Sequence, residues 1–247
     1  MLLVACAFLL LEQRRDIAAG ALVAVAVVFK PPWLLLLPYL LWTRRWRAAA
    51  ALGIVLLVEI ALPALRYGVG GTVGLYSAMS VRLAASTARL LTHPANVSLP
   101  GALAKLTGAA FPAVAVAPLV LLGLPLVAFG LRACGDRGRG AEDLAVLAPL
   151  AVLLSPQAWD YTVLTTLPAL LLAFTVTRSG PWAVRAVTAA LSVVVALDYV
   201  VLFGRGTLYA ALMRGSPNTW FLPWVLGLAL WARSGVRPLR SRVVRAG

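Results

Sequence analysis

Long apolar runs, separated by short segments that carry most of the charged residues, make up this chain. The runs lack the strict alternation of apolar and polar residues that strands of a membrane barrel show. Several are shorter than the roughly 20 residues that a helix needs to cross a bilayer. The pattern predicts an all-α fold, a polytopic bundle of transmembrane helices in which some helices are broken. The apolar runs are 1–11, 17–29, 33–42, 48–65, 111–131, 144–154, 161–177, 186–203 and 220–232.

Two pairs of short runs are predicted to form re-entrant hairpins. The sequence Lys30-Pro31-Pro32 separates the runs 17–29 and 33–42. Proline lacks a backbone N–H and its ring clashes with the preceding turn, so a helix is expected to break there. A second hairpin is predicted over 144–177, with its tip between Ser155 and Asp160. Both tips are expected to lie close together on the outer side of the membrane.

The distribution of basic residues favours hairpins over single passes. Cytoplasmic segments of membrane proteins carry an excess of Lys and Arg. With two hairpins, 15 of the 22 basic residues lie on the cytoplasmic side and 6 on the outer side. A single pass over 17–42 would leave most of them outside. The predicted domains are a single transmembrane domain over 1–247, an extracytoplasmic loop at 66–110 and a basic cytoplasmic tail at 233–247.

Two segments of this domain carry further expectations. The loop at 66–110 has few charges and regularly spaced leucines, which predicts short helices lying on the membrane surface. The first apolar run is too short to span a bilayer before Glu12. We therefore expect that the chain begins inside a transmembrane helix and is N-terminally truncated.

The composition excludes a soluble enzyme and a disordered chain. Hydrophobic residues make up 62% of the sequence and charged residues 12%, whereas soluble domains are about 25% charged. A net charge of +14 would suggest nucleic acid in a soluble protein. Here the basic residues lie in short segments between apolar runs, so no nucleic-acid partner is expected. The expected location is the cell (inner) membrane, as a multi-pass protein.

Metal and cofactor chemistry finds no support in the sequence. Cys6 and Cys134 are far apart, and His93 is the only histidine. These residues form no cluster with the spacing of metal ligands or of a disulfide framework. We expect neither a metal site nor a cofactor.

The acidic residues fall into two groups. Five of them are interpreted as solvated charges, because they lie in basic segments. The others lie in or beside apolar runs, where ionisable side chains are costly and usually functional. Glu59 and Asp198 have the alternative of reaching water or pairing with Arg66 or Arg205. The first group is Glu12, Asp16, Asp136, Glu142 and Asp143, and the second is Glu59, Asp160 and Asp198.

Three short motifs carry candidate chemistry. Lys30, at a hairpin tip, can meet a phosphate or extend to the membrane interface. Asn96 opens Asn-Val-Ser-Leu-Pro-Gly in the long loop, where it can also cap a re-entrant helix. The second tip reads Ser-Pro-Gln-Ala-Trp-Asp-Tyr from Ser155, and its Trp159 can bind a sugar or anchor the tip at the interface.

Together these motifs resemble one family. The chain resembles the C-terminal part of the bacterial, polyprenol-phosphate-dependent glycosyltransferases of family 87, the family of mycobacterial α-mannosyltransferases. The resemblance covers about residues 10–180. It rests on Lys30-Pro31 with the basic foot Arg44-Arg45-Trp46-Arg47, on Asn96-Val97-Ser98-Leu99-Pro100-Gly101, and on Ser155-Pro156-Gln157-Ala158-Trp159-Asp160. Where the family has Gln, a second Ser and a His pair, this chain has Val97, Ala158 and Tyr161-Thr162.

The resemblance implies a GT-C-like fold and transfer of a hexose, mannose in the first instance. The donor would be a polyprenyl-phosphate sugar and the acceptor a glycolipid or glycan at the outer membrane face, with membrane lipids as further partners. The leaving phosphate needs a nearby cation and hydrogen-bond donors. The candidate substrate-binding residues are Lys30, Asn96, Ser98, Ser155 and Trp159.

The general base is the one role that the resemblance does not assign to a residue of this chain. The resemblance implies a base aspartate in a first outer loop, near the N-terminus of family members, and this chain has no residue to match it. Asp160 is the remaining candidate for deprotonating an acceptor hydroxyl. We therefore expect that the chain on its own inserts in the membrane and does not transfer sugar.

Two other classes of function remain open at this point. Broken helices at membrane depth also occur in transporters, so a transporter or flippase-like protein is the main alternative. A non-catalytic membrane scaffold is the other, and it predicts no cluster of polar residues at the outer face.

Overall fold

Helices form nearly all the regular structure of the part of the chain described by the computed structural model. That part comprises residues 2–108, 127–128, 140–159, 166–178, 181–196, 206–207 and 217–233. The all-α prediction is confirmed over these residues. The helices are α1 (Leu2–Glu12), α2 (Asp16–Phe29), a 3-10 helix (Pro31–Leu35), α3 (Leu36–Trp42), α4 (Trp46–Leu90), α5 (Leu99–Thr107), α6 (Gly140–Leu154), α7 (Leu167–Thr177), α8 (Trp182–Ala196) and α9 (Pro217–Arg233).

Two similar corners join α1 to α2 and α3 to α4. In the first, the N–H of Arg15 donates to the carbonyl of Leu10 at 2.8 Å, and Arg14 has a φ of 59°. In the second, the N–H of Arg45 donates to the carbonyl of Leu40 at 2.8 Å. Such bonds and a left-handed residue close a helix end and turn the chain sharply.

The chain reverses between these corners, as the sequence predicts for Lys30-Pro31-Pro32. The helix α2 ends before Lys30, and Pro31 opens the 3-10 helix. The guanidinium of Arg45 then returns to the start of α2, where it donates to the carboxylate of Asp16 at 2.9 Å. The two feet of this hairpin therefore lie side by side.

The helix α4 is folded into two halves at Gly68. That residue has a φ of 67° and a ψ of 171°, a conformation that favours glycine. The hydroxyl of Tyr76 donates to the carbonyl of Ile60 at 3.1 Å. Sixteen residues of straight helix would separate these two by about 24 Å. The second half therefore turns back along the first.

Helical segments also make up most of the described part of the loop predicted at 66–110. They are the second half of α4 and the short helix α5. The sequence predicts helices in this loop, and the first of them is longer than expected. Its large apolar side chains, among them Val73 and Val81, are mostly exposed.

One helix in the described residues, α4, is long and apolar enough to cross a membrane. Large apolar side chains of its first half are exposed, including Leu65 at 86%. In water such a surface would be unfavourable, because burying apolar area contributes about 25 cal/mol per Å². The exposed surface fits a helix in contact with lipid.

The core of the described structure surrounds α6, which packs against α1, α5, α7, α9 and the 3-10 helix. All eleven residues from Asp143 to Leu153 are buried. The prediction that Asp143 is a solvated charge is wrong. Its side chain is 2% exposed and accepts a hydrogen bond from the hydroxyl of Tyr39 at 2.9 Å. A buried carboxylate needs such a partner.

The contact between Tyr39 and Asp143 fixes the direction of the helices. Tyr39 lies one turn before the second corner, so α6 begins near the corners and ends at Ser155 on the far side. The helix α2 runs the same way, from Asp16 to Lys30. We call the side of the two corners the corner end and the side of Lys30 and Ser155 the tip end. Both hairpin tips lie at the tip end.

Candidate functional site

The loop at Asn96 and the tip that follows α6 meet at the tip end. Asn96 and Trp159 form an isolated antiparallel bridge. The N–H of Val97 donates to the carbonyl of Ala158 at 2.6 Å. Two motifs that lie about sixty residues apart in the sequence therefore form one structural unit. We call residues 93–98 and 155–159 together the motif joint.

The side chain of Asn96 is the centre of the motif joint, and it is 1% exposed. Its amide nitrogen donates to the carbonyls of Leu91 at 3.1 Å and Pro156 at 3.2 Å. Its oxygen accepts from the N–H of Ser98 at 3.1 Å and of Ala158 at 3.2 Å. An asparagine side chain offers two donor hydrogens and two acceptor lone pairs, so the loop and the tip use all of them.

Ser98 begins α5 as its N-cap. Its backbone is extended, with a ψ of 156°, and its hydroxyl accepts from the N–H of Gly101 at 3.0 Å. Serine is a preferred residue at this position because it satisfies a free N–H at the helix start. The hydroxyl of Ser98 also lies 3.4 Å from the carbonyl of Pro156, so it helps to hold the tip.

Gly101 completes the motif because it leaves room for Asn96. A Cβ atom at this position would lie 2.7 Å from both Cγ and Nδ2 of Asn96 and 3.0 Å from the carbonyl oxygen of Leu91. Those distances are too short for any side chain unless the loop moves. The spacing Asn-x-Ser-x-x-Gly is therefore explained by packing within the motif joint.

Lys105 supports the joint from α5, and it was not among the residues selected from the sequence. Its ammonium donates to the carbonyls of Asn96 at 2.6 Å and Pro94 at 3.0 Å. Burial, which penalises the charged form, lowers the pKa of Lys105 from its ordinary value to about 8. From α9, the hydroxyl of Thr219 donates to the carbonyl of Val97 at 2.8 Å. The contacts of Lys105 and Thr219 cannot be recognised from the sequence, because they form only in the folded structure.

An aromatic pair lies at the edge of the joint. The rings of His93 and Trp159 are 5.1 Å apart and meet edge to face. The Nδ1 atom of His93 accepts a hydrogen bond from the N–H of Ala95 at 3.2 Å. In a neutral imidazole the proton is then on Nε2, which makes that atom a donor. His93 was not among the residues selected from the sequence, which considered it only as a metal ligand.

The remaining candidates occupy different positions. The hydroxyl of Ser155 is buried and donates to the carbonyl of Gln157 at 2.8 Å. Lys30 lies at the tip end but in the other hairpin, and its half-buried ammonium makes no hydrogen bond or ion pair with the described residues. Asp160 lies outside the described residues. The structure thus joins Asn96, Ser98, Ser155 and Trp159, and their role as substrate-binding residues stays a prediction.

Glu59 shows no ion pair with Arg66 in the described structure. The guanidinium of Arg66 instead lies over the ring of Tyr67, 5.7 Å from its centre. The Oε2 atom of Glu59 is buried and has no hydrogen-bond partner among the described residues. These residues also contain no group of three His, Cys, Asp or Glu side chains that could hold a metal ion.

The described residues form an all-helical structure in which one apolar helix, α4, is long enough to cross a membrane. The family model of glycosyltransferase family 87 matches residues 1–156, which is more than half of the chain. The chain therefore belongs to glycosyltransferase family 87. The matched range includes Lys30, the Asn96 motif and the beginning of the second tip. No curated protein and no solved structure matches the chain significantly.

Proposed function

We propose that the protein takes part in transfer of a hexose, in the first instance mannose, from a polyprenyl-phosphate donor to a glycan or glycolipid acceptor at the outer face of the cell membrane. Membership of a glycosyltransferase family supports the reaction class. The observation that carries the proposal is the motif joint, which lies at the same end of the bundle as Lys30. A reacting site needs a cation and an ordered polar surface close to each other.

The reaction requires charge stabilisation at the leaving group. The acceptor hydroxyl attacks the anomeric carbon, the bond from that carbon to the phosphate oxygen breaks, and the hydroxyl proton goes to a base. Negative charge grows on the departing lipid phosphate. Lys30 is the residue we assign to this charge, because its ammonium has no partner among the described residues and is partly withdrawn from water. A partly desolvated cation acts more strongly on a nearby anion.

Asn96 and Ser98 contribute to the proposed site mainly by support. Both side chains are buried, and their hydrogen bonds hold the Ser155–Trp159 tip against the loop. A site held by such bonds needs little rearrangement when the substrate binds. Ser155 has the same role within the tip, where it holds the carbonyl of Gln157.

Trp159 and His93 supply the proposed sugar contact. Indole rings offer a flat apolar face to a sugar ring, and the partly exposed position of Trp159 suits this use. The ring of His93 packs against the indole, with 5.1 Å between the ring centres, and its Nε2 can donate to a sugar hydroxyl. The same tautomer leaves neutral His93 without a free acceptor nitrogen, so His93 is a poor general base. Asp160, next to Trp159 in the sequence, remains the candidate for that role.

A multi-pass arrangement in the cell membrane belongs to the same proposal. A polyprenyl chain stays in the hydrocarbon layer, so its phosphate reaches the protein at the membrane interface. Both hairpin tips lie at one end of the bundle, as they would at one interface. We assign the tip end to the outer face, because the corners carry the arginines that the positive-inside rule places in the cytoplasm.

The test is donor binding by the purified protein in liposomes. Lys30→Met should weaken binding of a labelled polyprenyl-phosphate-mannose by about tenfold, as expected for loss of one charged contact. Arg82→Met, at an exposed arginine outside the motif joint, is the matched control. Equal affinity in wild type and Lys30→Met would contradict the proposal. Movement of the intact donor between leaflets, without affinity for an acceptor, would support the flippase alternative.

A further inference from the structure

The corner end contains a cavity that the proposed reaction does not use. Its volume is about 480 Å³, and it lies between the two corners that join α1 to α2 and α3 to α4. Arginines dominate its wall, so it is strongly basic despite two carboxylates. The residues that line it are Leu11, Glu12, Arg14, Asp16, Arg44, Arg45 and Arg47.

One of these arginines belongs to the framework of the cavity. The guanidinium of Arg45 donates to the carbonyl of Leu11 at 2.8 Å and to the carboxylate of Asp16 at 2.9 Å. It thereby ties the two corners together. This ion pair also offsets the charge of Asp16, so that carboxylate does not balance the other arginines.

The other three arginines are available to a ligand. Arg14, Arg44 and Arg47 are exposed and make no hydrogen bond or ion pair with the described residues. Three guanidinium groups around one cavity repel each other, and an anion at their centre would remove that repulsion. Guanidinium groups also bind phosphate oxygens in pairs, with short charge-assisted hydrogen bonds.

The backbone at two of these positions is unusual for arginine. Arg14 has a φ of 59° and Arg44 a φ of 56°. Among the described residues, they are the only ones other than glycine that have a positive φ. Glycine adopts this conformation more easily. Both corners nevertheless carry arginine there. Backbone strain of this kind is most often retained where the side chain has a function.

The surroundings of the cavity fit a membrane interface. Trp42 and Trp46 flank the second corner and are 56% and 61% exposed. Exposed tryptophans are typical of the depth at which lipid headgroups lie. A soluble anion would not need them.

The cavity is separate from the motif joint. The helix α2 runs from Asp16 at the cavity to Lys30 at the tip end, over 14 residues. At 1.5 Å per residue, this is about 21 Å. A phosphate in the cavity is therefore far from the sugar-transfer site that we propose.

We propose that the corner cavity binds the phosphate of an anionic phospholipid headgroup. Arg14, Arg44 and Arg47 donate to the phosphate oxygens, and Arg45 keeps the two corners in place. The exposed tryptophans lie among the adjoining lipids. The bound headgroup holds the corner end at the inner leaflet, where anionic lipids attract basic segments.

The test compares lipids in nanodiscs that contain the full chain. Retention of phosphatidylglycerol against phosphatidylcholine is measured by native mass spectrometry. We expect wild type to prefer phosphatidylglycerol. In the double variant Arg14→Gln/Arg44→Gln, this preference should be about tenfold lower. The control is Arg66→Gln/Arg82→Gln, which removes the same charge from α4 and should keep the preference.

A second variant separates lipid binding from folding. Arg14→Gly/Arg44→Gly removes the same two charges and suits the positive φ at both corners. It should unfold at the same temperature as wild type or higher, and still lose the lipid preference. Unchanged preference in either double variant would overturn the proposal. Displacement of the lipid by millimolar inorganic phosphate would also overturn it, because the site would then serve a soluble anion.

Discussion

The side-chain oxygen of Asn96 accepts a hydrogen bond from the backbone N–H of Ala158, 62 residues further along the chain, at 3.2 Å. This bond joins the long loop to the second hairpin tip. It gives Asn96 a structural task that is separate from any contact with substrate. The stability of the motif joint should therefore depend on Asn96.

Asn96→Asp should destabilise the protein by about 2–4 kcal/mol. The substitution keeps the shape of the side chain and replaces the donating amide with an acceptor, which then faces the carbonyls of Leu91 and Pro156. A buried group that loses its partners is destabilising. The midpoint of thermal unfolding in detergent measures the effect. Ser80→Ala, at an exposed serine, should change it little, and equal midpoints for the two variants would contradict the assigned hydrogen bonds.

Gly101→Ala should destabilise the motif joint by about 1–3 kcal/mol. The new methyl group would lie against the side chain of Asn96 and the carbonyl of Leu91, neither of which can move freely. Gly74→Ala is the matched control, because no atom lies within 4 Å of its added Cβ. In that helical position alanine should be neutral or slightly stabilising. The ordering of the two unfolding midpoints checks the prediction, and a more stable Gly101→Ala would refute it.

Because of Lys105, the free energy of unfolding should depend on pH in the alkaline range. Burial lowers its pKa to about 8 in the folded protein, while the unfolded chain keeps the ordinary value of 10.5. Between these two pH values the unfolded state binds more protons than the folded state, so the stability increases with rising pH. Below pH 8 both states are protonated and the contribution is constant.

The measurement is the unfolding midpoint of wild type minus that of Lys105→Met, as a function of pH. Subtraction removes groups that titrate equally in both proteins. The difference should rise from about pH 8 to about pH 10.5. A difference that stays level over this interval and falls at higher pH would contradict the prediction, because the two carbonyls would then raise the pKa of Lys105 more than burial lowers it.

Tyr39→Phe should destabilise the corner end by about 1–3 kcal/mol. The hydroxyl of Tyr39 is a donor to the buried carboxylate of Asp143, and its loss leaves that charge less well compensated. Tyr76→Phe removes an exposed hydroxyl that bonds to a carbonyl and should have little effect. Thermal unfolding of the two variants side by side distinguishes them. Similar losses would argue against a special role for Asp143.

Local sequence patterns predicted the helices and one reversal of the chain. Apolar runs indicate helices whatever their partners are, and Lys30-Pro31-Pro32 breaks a helix by its own chemistry. The reversal inside α4 was not predicted. Glycines occupy four positions from Gly68 to Gly74, and nothing in the local sequence distinguishes Gly68 as the one that takes a positive φ.

The site was predicted in part, for a similar reason. The motifs pointed to Asn96, Ser98, Ser155 and Trp159, and the structure joins these four residues. The contacts of Lys105, His93 and Thr219 were missed, since each depends on a fold that brings distant segments together. Asp143 was misread because a carboxylate among arginines looks solvated until its tyrosine partner is known.

The central claim is that the lipid-linked sugar binds at the tip end. The most direct measurement is photo-crosslinking of the purified protein with a polyprenyl-phosphate-mannose that carries a photoreactive group on the sugar, followed by mass spectrometric mapping. We predict adducts in 30–35 and in the motif joint at 93–98 and 155–159, reduced by an excess of unlabelled donor. Adducts confined to the corner cavity, or unaffected by unlabelled donor, would contradict the account.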